Sequence, residues 1–198
     1  MMVFMSDLAC KPRETGVVIR RAVPGDVGCL AVLATQVWLH TYATQGISRE
    51  IADYVLDRLT PRNFDVTLAD PNSCVWVAEL ATNLVGLAVL TLGRPCPHSG
   101  ASAAELQTLY VQEHFMGQGV GAQLLHNVQA TAQAVAHSPV WLAVNAHNHA
   151  AICFYQHMGY AKLGTMDFQL GASLHENHVY LGPSFAAQAL SGSSPNPP

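Results

Sequence analysis

In the stretch HFMGQGVGAQLLHNVQATAQ, from His114 to Gln133, Gly117, Gly119 and Gly121 stand at alternate positions and run straight into an amphipathic helix pattern. A glycine turn that opens a helix can hold an anion. The first N–H groups of a helix have no partner inside it, they point outward, and the helix dipole favours negative charge there. Without a Cβ in the way, a phosphate or pyrophosphate can reach the backbone. The plainer alternative is a tight helix start and nothing more. The spacing G-x-G-x-G is not the G-x-G-x-x-G of dinucleotide folds, and the G-K-[ST] of a Walker loop is absent. The turn also sits in mid-chain, not on a first βαβ unit.

The elements around the turn follow from periodicity. GVVIRRAV reads as a strand, Pro24–Asp26 as a helix start, and CLAVLATQVWLHTYA as the helix. Ser48 is an N-cap for REIADYVLDRL, in which Ile51, Tyr54, Val55 and Leu59 share a face. PRNFDVTLAD is a further short helix, ended at Asp70–Pro71. SCVWVAEL and LVGLAVLTLG form a hairpin, AELQTLYV is the strand that enters the glycine turn, and a helix runs on to about His137. PVWLAVNA is a strand, HAAICFYQHM a short helix stopped at Gly159, and YAKLGTMDFQL and HENHVYLG are the last two strands. This order makes a mixed α/β single domain over residues 17–182, with a flexible segment 1–16 and a disordered Ser- and Pro-rich tail 183–198.

Composition narrows the function classes. Half of the 198 residues are hydrophobic and only 11% are charged, enough for one packed core. A formal net charge of −4, with nine scattered Lys and Arg, excludes a general nucleic-acid binder. The five cysteines, Cys10, Cys29, Cys74, Cys96 and Cys153, show no C-x-x-C and no zinc spacing. They read as reduced thiols, several of them buried, in a cytoplasmic protein. No apolar run reaches the roughly 18 residues of a membrane span, and the first residues are too polar for a signal peptide.

Five ordered blocks together resemble the GCN5-related N-acetyltransferase (GNAT) family. They are VVIRRAVPGD, the hairpin VWVAELATNLVGLAVL, ELQTLYV, the glycine block MGQGVG at Met116–Gly121, and LAVNAHNHAAICFYQHMGY. The segment WLHTYATQGISREIADYVLDRLTPRNF is similar to the acceptor-side helices of bacterial members near the spermidine/spermine acetyltransferase group. The resemblance implies a mostly antiparallel central sheet, flanked by helices and splayed in the middle for the cofactor. It implies acetyl transfer from acetyl-CoA, as co-substrate, to a primary amine of a small molecule or peptide by direct attack in a ternary complex. An amine attacking a thioester needs a base, a donor to the oxyanion and a proton for the leaving thiolate.

On that resemblance Tyr155 donates to the sulfur, and Glu105 is the general base, acting through water. The backbone of Leu109, Tyr110 and Val111 pairs with the pantetheine arm. The amides of Gly117, Gln118, Gly119, Val120 and Gly121 hold the pyrophosphate, and Asn148 contacts the pantetheine or sulfur region besides capping its helix. Strand alternation puts Glu105, Gln107 and Leu109 on one face and Leu106, Thr108 and Tyr110 on the other. Trp38 and Tyr42 lie where acceptor pockets form; core packing accounts for Trp38 better.

Met116 departs from the family pattern, where Arg or Gln stands, so one polar contact near the pyrophosphate is missing, and Gln118 is a candidate to replace it. Met116 also motivates the alternative of a lapsed GNAT-fold protein that binds CoA as a sensor or interaction module. His147 and His149 flank Asn148 without a third metal ligand and read as surface residues. Cys153, without a basic partner, reads as core. Glu50, Asp53 and Asp57 lie near one helix face, which suits a polyamine or a solvated face equally. Nothing identifies an oligomer interface, although dimers are common in the family.

Overall fold

The computed structural model describes residues 16–100 and 102–184. The expectations for the two termini fall outside these residues, apart from Gly16, Pro183 and Ser184.

Helix starts follow local chemistry. A 3-10 turn at Pro24–Asp26 leads into α1 (Val27–Tyr42). The Ser48 hydroxyl accepts from the Ile51 N–H at 3.2 Å and starts α2 (Arg49–Arg58). Thr60 does the same for Asn63 at 3.2 Å, with Pro61 at the first position of α3 (Pro61–Ala69). β1 (Val17–Arg21) is tied to the 3-10 turn and to β2 (Ser73–Leu80) by the Arg20 guanidinium, which bonds both Asp26 and Glu79. β3 (Asn83–Leu92) is apolar on both faces because helices cover both.

β4 (Ala104–Val111) runs through a 3-10 turn at Glu113–Phe115 into α4 (Val120–Ala136). β5 (Val140–Asn145), α5 (His149–His157), β6 (Ala161–Leu170) and β7 (Ser173–Leu181) complete the chain. The seven strands form one sheet in the order β1-β2-β3-β4-β5-β7-β6. Every neighbouring pair is antiparallel except β4 with β5.

Each face of the sheet has its own core. On one side α4 and α5 cover Ala88, Leu90, Leu106, Leu142 and Tyr180, with Leu124, Leu125 and Val128 of α4 fully buried. Each such side chain contributes about 1.5–3 kcal/mol on burial. On the other side α1 and α3 cover Val75, Val77, Leu87 and Val89. The tertiary relation that shapes the candidate site is the β4–β5 pair. These strands are registered only at Ala104 with Val140 and at Glu105 with Trp141. Beyond those residues β4 stays with β3 as far as Val111, whereas β5 stays with β7 as far as Asn145. The sheet therefore opens between the two strands towards their C-terminal ends.

Candidate active site

The glycine turn closes the wide end of this opening. Gly117 and Gly119 have φ of 71° and 80°, in the left-handed region, which explains glycine at both. Gly119 caps α4 without any side-chain hydrogen bond, so the first amides of α4 meet no side-chain acceptor. Gly121 is not constrained in this way: a Cβ there would meet Phe154 of α5 at 3.5 Å and Val111 of β4 at 3.8 Å, ordinary contact distances. Val120 is buried by its side chain and can offer the turn only its amide. The Gln118 amide donates to the His114 carbonyl at 2.7 Å, so it is engaged in bracing the turn. Met116 is 52% exposed beside it.

At the narrow end sits Glu105, half-buried at the last paired position. Burial pushes its carboxyl above the usual range; the nearby Arg94 charge and a hydrogen bond from Gln107 pull the other way without cancelling it. The simple alternation expected for β4 fails here. The β3–β4 register shifts between Val89 and Leu90, leaving Gln107 as an extra residue in β4. Leu106 and Leu109 consequently both face α4, whereas Tyr110 faces α1. Leu109 does not share a face with Glu105; Tyr110 does.

Tyr155 is 7% exposed and packs with the α4-side core, its ring 5.7 Å from that of Tyr160. Burial raises its hydroxyl pKa, and so do the neighbouring hydroxyls of Tyr160 and Tyr42. Burial also raises Tyr110, with further contributions from Tyr42, Tyr54 and Tyr155. Tyrosines from the two sides of the sheet thus meet where β4 and β5 have parted. Asn148 caps α5 by accepting from the Ala151 N–H at 3.1 Å, and its side chain lies near enough to the Tyr42 hydroxyl to offset part of the effect of burial on it. The expected cofactor-side Asn148 and acceptor-side Tyr42 are therefore neighbours.

Trp38 is buried, as packing predicts, and its ring stacks on Tyr54 at 4.7 Å and tilts against Tyr42 at 5.0 Å. Phe168 of β6 meets Tyr54 edge-on at 6.0 Å. Tyr54 had been legible only as one residue of a helix face, and Phe168 only as part of a strand. Arg94 lies in a Pro- and Gly-rich loop that carried no signal. Cys153 is exposed, contrary to the core reading, because it lies on the outer side of α5; Cys29 is exposed too, and only Cys96 is buried among the described cysteines. His147 and His149 are exposed, and no group of three or more potential metal ligands occurs among the described residues.

A family model described as the acetyltransferase (GNAT) family matches residues 35–160. The chain belongs to that family. The match runs from α1 through the glycine turn to Tyr160, just past α5, and so includes every site residue named above except Phe168. An uncharacterized N-acetyltransferase of Mycobacterium bovis is 36% identical over 127 residues, 64% of this chain and 77% of the relative. Human N-acetyltransferase 8 is 31% identical over 145 residues, 70% of this chain and 63% of that protein. The PaiA N-acetyltransferase of Thermoplasma acidophilum, solved in complex with coenzyme A, shares the fold, with a TM-score of 0.63 at 17% identity over 82% of this chain and 97% of its own. This GNAT protein is thus an N-acetyltransferase by class. The splay and the uncapped start of α4 fit an extended, phosphate-bearing acyl donor. No helix among the described residues is long and apolar enough to cross a membrane.

Proposed function

We propose that this GNAT protein transfers the acetyl group of acetyl-CoA to a primary amine of a small molecule or peptide, by direct attack with both substrates bound. The observation that carries the reading is the β4–β5 opening, with an uncapped helix start at its wide end and a half-buried carboxylate at its narrow end. Acetyl-CoA supplies an acyl group already activated as a thioester. The amides of Gly117 to Gly121 hold its pyrophosphate, and β4 from Leu109 to Val111 takes the pantetheine arm as an added strand. Asn148 helps to hold that arm near the sulfur.

Glu105 accepts the amine proton through water. A carboxyl raised by burial is better matched to this task near neutral pH than an exposed one. An N–H of β4 on the open edge stabilises the developing oxyanion. Tyr155 keeps its proton at neutral pH and donates a hydrogen bond to the departing sulfur. Trp38 and Tyr42, backed by Tyr54 and Phe168, form the wall for the body of the acceptor. We take residues 17–182 as one catalytic domain working in the cytoplasm, without nucleic acid.

A second reading keeps the fold without turnover, as a sensor or interaction module for CoA. Met116 favours it, because an exposed thioether brings no charge to the turn. Calorimetric titration with acetyl-CoA, with NAD and ATP as controls, followed by thiol release across polyamines, amino acids and short peptides, separates the two. Selective binding with amine-dependent release supports the enzyme. Selective binding without release on any amine supports the sensor, and no binding removes both.

A further inference from the structure

Thr91 of β3 stands directly across the ladder from Glu105 of β4. In β3, Leu87 and Val89 pack towards α1 and α3, while Ala88 and Leu90 pack towards α4. Thr91 therefore points to the α1 side. Glu105 points the same way, because Ala104 and Leu106 on either side of it face α4. Directly opposed residues of an antiparallel pair hold their β-carbons about 4.5–5.5 Å apart. The hydroxyl and the carboxylate are thus within reach of one hydrogen bond or one bridging water.

The hydroxyl has no other use. Thr91 is 6% exposed, and its Oγ1 is buried without a hydrogen-bond partner. A buried hydroxyl left unpaired is a standing cost, and valine would fill the same space in a strand without it. On the other side of Thr91 stands Ser73 of β2, whose hydroxyl donates to Asp70 at 3.0 Å. Around Glu105, Gln107 of β4 supplies a hydrogen bond and Arg94 a charge. Trp141 of β5 gives its indole N–H to the Arg94 carbonyl at 2.8 Å. The carboxylate thus has partners on its own strand and in the 94 loop, and Thr91 is the unused donor on β3.

We propose that Thr91 is a positioning residue for the general base: its hydroxyl donates to the Glu105 carboxylate, directly after rotation about χ1 or through one water, and turns the free oxygen towards the opening. This rests on the reading of Glu105 as the base. Only hydrogen bonds change, and the donated bond favours the ionised carboxylate.

The test is a titration of the glutamate carboxyl carbons by NMR in the full chain, with Glu105→Gln identifying the Glu105 signal. Thr91→Val keeps the shape and removes the hydroxyl. It should raise the Glu105 midpoint by about one pH unit, since a hydrogen bond to a charged group is worth roughly that much. Thr91→Ala should act in the same direction, so the test survives if the valine variant folds badly. Thr91→Ser should restore the wild-type midpoint. A midpoint that ignores the loss of the hydroxyl in both variants overturns the proposal. That outcome is distinct from failure of the parent reading, in which Glu105→Gln itself leaves amine-dependent thiol release intact.

Discussion

Glu105 and Tyr110 present their side chains to the same side of the sheet although an odd number of positions separates them along β4. Strict alternation would put them on opposite sides. Gln107, the extra residue at the Val89/Leu90 register shift, reverses the alternation between them. The bulge sits just past the last β4–β5 pair, so the strand changes phase where it loses its neighbour. Glu105 at the narrow end and Tyr110 further along thereby face the same side of the sheet, and Leu109 is free to anchor β4 in the α4-side core.

Replacing Glu105 by Gln should lower amine-dependent acetyl transfer by about 10²–10⁴-fold while improving stability at neutral pH. The folded-state pKa of Glu105 lies above its unfolded value. The folded protein therefore holds that proton more tightly, and ionising the group weakens the fold as pH rises from the unfolded towards the folded value. Glutamine removes the ionisation, so the variant should melt higher than wild type at pH 7 and closer to it at acid pH. In wild type, kcat/KM should fall on acidification with a midpoint above the ordinary carboxylate range. Thermal melts and pH–rate profiles of both proteins check the two halves separately.

Tyr155→Phe keeps the ring contacts with Phe154 and Tyr160 and removes one hydroxyl. Folding should change by no more than about 1.5 kcal/mol, the scale of one hydroxyl's hydrogen bonding. Turnover should fall by about 10²-fold if the hydroxyl serves the leaving sulfur. Substrate saturation curves should then show the loss in kcat and leave the acetyl-CoA KM nearly unchanged. An unaltered kcat with a stable fold would reduce Tyr155 to a packing residue.

The three glycines of the turn should separate into two classes. Alanine at Gly117 or Gly119 must adopt positive φ, at a cost of about 1–2 kcal/mol, and should weaken acetyl-CoA binding by disturbing the helix start. Alanine at Gly121 meets Phe154 at ordinary contact distance and should leave melting temperature and affinity close to wild type. Melting curves with and without acetyl-CoA distinguish the classes. A Gly121→Ala variant as damaged as the other two would mean that the anion approaches this glycine itself.

Much of this was legible in the chain because the signals are local. Ser48 and Asn148 are caps that act within three residues, and left-handed glycines announce turns by themselves. The order of strands and helices followed from periodicity in the same way. What could not be read depends on pairing between distant strands. The bulge at Gln107 is a property of β3 against β4, and nothing in AELQTLYV marks it. The stack of Trp38 on Tyr54, the approach of Phe168, and the field of Arg94 on Glu105 arise only when separate segments are brought together. Cys153 was misread because the lack of a basic partner argues against a nucleophile without arguing for burial, and it lies on a different side of α5 from Ile152 and Phe154.

Met116→Arg offers a gain where the others offer losses. Met116 has extended backbone geometry, is half exposed, and gives its N–H to the Glu113 carbonyl, so a longer polar side chain fits without repacking. The Gln118 amide is already engaged with the His114 carbonyl, so it does not supply the charge that an arginine would bring. A guanidinium there would add a charge-assisted bond to a pyrophosphate held by Gly117 to Gly121. Acetyl-CoA should bind about tenfold more tightly at low salt, and the gain should shrink as ionic strength rises. Melting temperature without ligand should not move. Calorimetry over a salt series measures both terms, and an affinity indifferent to the added charge would mean that the phosphates lie away from this turn.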